Sequence, residues 1–202
     1  TSLGITTTNG FTRNWDICHR PSMSGRWRQN HLSRCPELVD HCNPGDFEEF
    51  VQVASLCILM HRNDLLARFV FLTDRAGFKG EDTLYEDLLR KNLPGRADID
   101  EWFHPVYSQL IRAIYAPDRS AASALLNEYC AQWYVSFGEL QASWHDAHLS
   151  INGDDGSYFG YWAFEAGAIA FLYGIDDSQI NQMIYPKDLV EYARKIAGQE
   201  RQ

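Results

Sequence analysis

Apolar residues recur at helical spacing along most of the chain from residue 46 onward, and no stretch alternates in the two-residue period of a strand. The densest stretch covers residues 157–174, SYFGYWAFEAGAIAFLYG, in which Glu165 is the only charged residue. It is too short and too aromatic for a membrane span, which needs about 20 apolar residues. At 100° per residue, Gly156, Gly160, Ala163, Gly167, Ala170 and Gly174 fall on one narrow stripe. Tyr158, Tyr161, Trp162, Ile169 and Leu172 lie opposite. A helix that is apolar all round is a buried one, and a stripe of small residues lets a second helix approach closely. The pattern predicts a central helix over 157–174. Glu165 falls amid the large face, where an unpaired carboxylate is costly, so it is expected to pair with Arg194 or a tyrosine hydroxyl.

The other elements follow from the same period. Asp46 and Glu49 read as a capping box opening a helix that carries Phe50, Val51, Ala54, Leu56 and Ile58. Asn63 or Asp64 is expected to cap a second helix, with Leu66, Phe69, Val70 and Leu72 inward and Gly77 at its end. A third covers 81–92, closed by Pro94-Gly95. Asp98 and Glu101 form a second possible box before a helix over about 103–115. A long helix runs over 120–137, with Gly138 before a continuation through His148. The turn cluster 152–156 leads into the central helix, Asp177 or Ser178 can cap a short one, and Pro186 takes the first position of the last. Residues 1–45, interrupted by Gly and Pro, are expected to be largely irregular and packed on the body through Trp15 and Trp27. The whole is an all-α domain of about seven to nine helices over 46–202.

Charge changes this picture more than composition does. The net −9 divides into +4 over residues 1–35, where five arginines face Asp16 alone, and −13 over the rest. A body that acidic argues against nucleic acid as a direct ligand and suits a basic protein partner. Five cysteines at irregular spacing favour reduced thiols and a cytoplasmic setting, and no secretory or membrane-spanning pattern is present. The chain starts at Thr1 without Met, consistent with trimming.

Signatures of chemistry are sparse. A zinc site from Cys18, Cys35, His41 and Cys42 lacks any CxxC pair, so no metal is expected. The 152–156 turn lacks the alternating oxygen ligands of a calcium loop. His145 and His148 share a helical face but have no third ligand. No GxSxG, P-loop or dinucleotide fingerprint occurs, and no cofactor is implied. An enzyme would have to be built on Glu165 or on the His145/His148 pair, and that is the rival to a binding function.

Three blocks in order then carry a resemblance: Tyr158, Gly160, Tyr161, Trp162 and Glu165 within YFGYWAFEAGAI; Asp176 and Asp177 within GIDDS; and Tyr185, Pro186, Asp188 and Leu189 within YPKDLV. Together they resemble the C-terminal signature of the PoNi family, bacterial immunity proteins that neutralise PoNe-type DNase toxins, often delivered by type VI secretion. The resemblance implies an all-α, non-enzymatic, cytoplasmic protein that binds and blocks a cognate nuclease. The signature residues themselves read as structural. Toxin contact is therefore expected elsewhere: at Asp98, Asp100, Glu101 and Trp102, and at Asp154 and Asp155 in the loop before the central helix. A monomer or weak homo-oligomer that touches neither membrane nor DNA directly is expected.

Overall fold

The computed structural model describes residues 43–151 and 160–199, and the first residue of that span sets where helix α1 (Pro44–Leu59) begins. Asn43 is extended, its Oδ1 accepts the Gly45 N–H at 3.0 Å, and Pro44 follows where a missing donor costs nothing. The box expected at Asp46 and Glu49 is therefore displaced by a stronger start, with its cap three residues upstream. Phe47, Phe50, Val51, Ala54 and Ile58 make the buried face of α1. Helix α2 (Asn63–Arg75) has no side-chain cap. Asp64 is spent on a two-pronged pair with Arg62, 2.8 Å at each prong. Leu66, Val70 and Thr73 point inward, and Phe69 stacks on Phe50. Leu72, expected inward, is 54% exposed, because the helical rotation carries it round to the side of Leu65.

Helix α3 (Thr83–Leu89) is capped by Asp82, and all seven of its residues are buried. The box expected at Asp98 and Glu101 does not form. Thr83 instead bonds the carbonyls of Ile99 and Glu101, holding that stretch against the start of α3. A 3₁₀ turn (Pro105–Tyr107) then leads into α4 (Ser108–Ile114). Asp118 accepts the Ala121 N–H at 2.9 Å and starts α5 (Arg119–Glu139), which contains Gly138 rather than breaking at it. The expected continuation to His148 is absent: turns follow α5, and only a 3₁₀ segment (Ala147–Ser150) precedes the loop.

The central helix is shorter than its apolar run suggests. Helix α6 spans Phe164–Tyr173, and residues 160–163 are non-helical. Gly160 has φ +86°, and a Cβ there would lie 2.7 Å from the Trp162 indole nitrogen, so a helix cannot pass through this point. The N–H of Ala163 goes to the Ile184 carbonyl instead. Its central position holds all the same, since α6 packs against α1, α3, α4, α5 and α7 (Lys187–Gln199). Buried Ala166, Gly167, Ala168 and Ala170 let so many neighbours approach. At Gly167 a Cβ would meet Val190 at 2.9 Å and Pro186 at 3.0 Å, so α7 lies directly on the stripe. The polypeptide ends α6 at Gly174, in the left-handed region. One buried cluster runs from Phe47 to Ala193 through every helix, and no described helix is long and apolar enough to cross a membrane. No helix follows Asp177 or Ser178 before α7, which begins one residue after Pro186.

Cys18, Cys35, His41 and Cys42, Trp15, Trp27, Asp154, Asp155, Tyr158 and all but residues 43–45 of the N-terminal segment lie outside the described residues.

Candidate functional site

The acidic stretch beginning at Asp98 is positioned by a cation that sequence reasoning passed over. Pro94 and Gly95 turn the chain after α3, with Gly95 at φ +76°. Arg96 then folds inward, its side chain only 4% exposed. Its guanidinium reaches Glu86 at 2.7 and 2.8 Å and Asp74 at 2.8 and 3.0 Å, a double fork that joins the end of α2 to the middle of α3. Glu86 also accepts the N–H groups of Gly80 and Ala97. Its buried charge is thus matched by one cation and two dipoles.

Further along, Asp82 takes the Phe103 N–H at 2.9 Å on Oδ2 while capping α3 with Oδ1. Burial pushes the Asp82 carboxyl up to about 6 against the pull of those three donors. Both ends of the segment 96–103 are therefore tied to α3. Between them Asp98, Asp100 and Glu101 are exposed, with Asp98 3.3 Å from Arg90. Trp102, the expected aromatic anchor, is half-buried against the core and donates to Ser108 at 3.0 Å. The three acids are thus exposed on a segment held at both ends. Arg96, Asp82 and Glu86 were the missed residues. The available signal was Arg96 itself, the only cation between Lys91 and Arg112.

The rival sites are otherwise engaged. Glu165 is fully buried, and its Oε1 accepts the Tyr129 hydroxyl and the Trp133 indole N–H, each at 2.7 Å. Gln52 lies 3.4 Å from Oε2. Burial raises this carboxyl above its usual range, and the hydroxyl and indole donors oppose that. The tyrosine partner agrees with expectation, whereas Arg194 pairs with Asp177 at 2.8 Å. His148 bonds the Tyr161 hydroxyl at 2.6 Å, and the His145 ring stacks on Tyr134 at 4.2 Å. Among the described residues no group of three or more His, Cys, Asp or Glu could hold a metal. Cys57 and Cys130 are free and buried.

Most of the signature blocks occupy joints of the fold. Asp177 accepts the Tyr185 hydroxyl at 2.6 Å, Pro186 covers Gly167, and the Asp176 carbonyl accepts Ser123 at 2.6 Å. Leu189 is half-buried, while Trp162 and Asp188 are exposed. The second candidate group, Asp154 and Asp155, falls in the span 152–159 outside the description.

A family model described as PoNe immunity proteins (PoNi), C-terminal, matches residues 80–189, more than half of the chain. No curated protein and no solved structure matches.

Proposed function

Because the chain belongs to the PoNe immunity proteins, we propose that it binds a cognate PoNe-type DNase toxin and inhibits it by covering the DNA-binding cleft. The carrying observation is the strap: Asp98, Asp100 and Glu101 exposed side by side on a segment tied down through Arg96 and Asp82. A nuclease cleft must be electropositive to hold phosphates, so a rigid row of carboxylates competes for the same cations. The body's −13 beyond residue 35 draws such a partner from a distance. Asp154 and Asp155 are a second point of contact on this reading.

The protein acts without catalysis, as a monomer or weak homo-oligomer, in the cytoplasm, where an incoming toxin would reach DNA. It contacts neither DNA nor membrane directly. Delivery of the toxin by a type VI system fits this setting.

The test is association kinetics with the co-encoded nuclease at two salt concentrations. Asp98→Lys, Asp100→Lys and Glu101→Lys together should slow association at least tenfold at low salt and flatten its salt dependence, with cell protection lost. An Asp154→Lys, Asp155→Lys double variant tests the second contact. If both variants bind and protect as the native protein does, the acidic interface is wrong. If the native protein binds no co-encoded nuclease, the immunity function is wrong.

A further inference from the structure

An open groove of about 720 Å³ runs between α1 and α2, with Val53 and Cys57 on one wall and Leu65, Arg68, Phe71 and Leu72 on the other. Phe71 is 60% exposed, and Leu65, Leu72 and Val53 are exposed beside it. Monomeric proteins seldom expose a contiguous apolar face without a use for it. The charges on this face are as distinctive. Asp64 pairs with Arg62 and Asp74 with Arg96, which leaves Arg68 and Arg75 without an acid among the described residues. Arg75 lies over the Phe71 ring, 5.5 Å from its centre.

We propose that this face of α2 binds the same face of a second copy of the chain, with the two helices antiparallel about a two-fold axis. The order of its outward residues carries the inference. Asp64, Arg68, Phe71 and Arg75 follow one another at steps of four, three and four residues, within about 60° of arc on the helix. Those steps read the same backwards. A second α2 running the other way therefore sets its Arg75 opposite Asp64 and its Phe71 opposite Arg68, and the two-fold axis makes each contact twice. Arg68 gains an aromatic face, and Asp64 comes to lie between its own Arg62 and the other copy's Arg75. Leu65 and Leu72 share the edge of the strip that borders the groove, and in this register each meets the other's counterpart beside Val53 and Cys57. Parallel helices offer no such match, because Asp64 would face Asp64 and Arg68 would face Arg68. Charge on the whole chain acts in the same direction. Residues 36–202 carry −13, so two copies repel through most of their surface and approach best where it is cationic. A helix of 13 residues is about 20 Å long, so the contact falls in the smaller interface class, below about 1,200 Å², and a concentration-dependent dimer is expected. The inference goes beyond the immunity function and does not depend on it.

Sedimentation equilibrium of the full-length protein over a concentration series tests this, with charge exchange as the diagnostic. The native chain should be dimeric at tens of micromolar. Asp64→Arg and Arg75→Asp each turn two contacts repulsive and should weaken dimerisation at least tenfold, with helicity unchanged because both positions are exposed. Mixed in equal amounts, the two variants should recover most of the native affinity, since each supplies the charge that the other has lost. A native protein still monomeric at hundreds of micromolar overturns the proposal. So does a dimer indifferent to both exchanges, or a pair of weakened variants that mixing does not rescue. A native monomer whose residues 1–42 become sensitive to trypsin on Phe71→Asp would assign the face to that segment. Loss of nuclease binding in Phe71→Asp with the dimer intact would assign it to the toxin. Either result overturns it.

Discussion

Glu48 and Glu165 are buried carboxylates answered by hydrogen-bond donors rather than cations. The Trp144 indole N–H donates to Glu48, and Trp144 stacks on Trp133, the donor to Glu165, at 4.9 Å. Burial pushes Glu48 up to about 7, the Trp144 bond opposes it, and Glu165 and Glu49 add to it. A carboxyl raised in the folded state binds its proton more tightly there than in the unfolded chain. Its contribution is complete below its ordinary value and is lost as pH rises through about 7. The melting temperature should therefore fall between pH 5.5 and 8, with Asp82, raised to about 6, adding to the loss, and Glu48→Gln should remove a share of it on the order of 2 kcal/mol. Thermal unfolding across that range checks it; parallel native and variant curves would count against it. Glu165→Gln keeps an acceptor for Tyr129 and Trp133 and should be well tolerated. Glu165→Leu orphans both donors and should cost about 2–4 kcal/mol in chemical denaturation. The carboxylate's anomaly was legible in the sequence from its apolar surroundings. A tyrosine hydroxyl was among the expected partners, but Trp133 and Gln52 were not, because they come from α5 and α1, over 30 residues away.

Among the elements, α5 was legible nearly to its ends, since Asp118 caps a long run of helix formers uninterrupted by proline. The start of α6 was not. Tyr161 and Trp162 continue its apolar pattern, yet Gly160 turns the chain and Ala163 bonds across to Ile184. Periodicity records which residues are apolar, and it does not register the turn at Gly160, after which Trp162 is left 41% exposed. Likewise, Asn43-Pro44 outcompeted the Asp46 box, and pairing with Thr83 replaced the one at Asp98. Two glycine substitutions separate packing from propensity. Gly167→Ala gains intrinsic helix preference but drives a Cβ into Val190 and the Pro186 ring, neither able to swing aside. It should destabilise by about 1–3 kcal/mol. Gly198→Ala in α7 meets no neighbouring atom within 4 Å and should stabilise by up to about 1 kcal/mol. Equal unfolding midpoints for the two variants would mean that α7 does not press on α6.

At the scale of the whole molecule, the buried cluster draws on Phe47, Phe50 and Leu59 as well as on the region after residue 80. The fragment 80–189 should therefore fail to fold alone, giving no cooperative unfolding transition and no slow amide exchange; a cooperative transition in that fragment would show that α1 and α2 are accessory. Of the candidate site, the acids were legible because charge and exposure go together. The strap that fixes them was not, because Arg96 reaches partners 10 and 22 residues back along the chain. One of those partners, Asp74, lies outside the span that the family shares, and Arg96 lies inside it. A recombination joint at residue 80 would thus deliver the cation to a descendant without one of its two counter-charges. An exchange that breaks the chain at residue 80 should keep its stability only where the incoming half carries an acid at position 74.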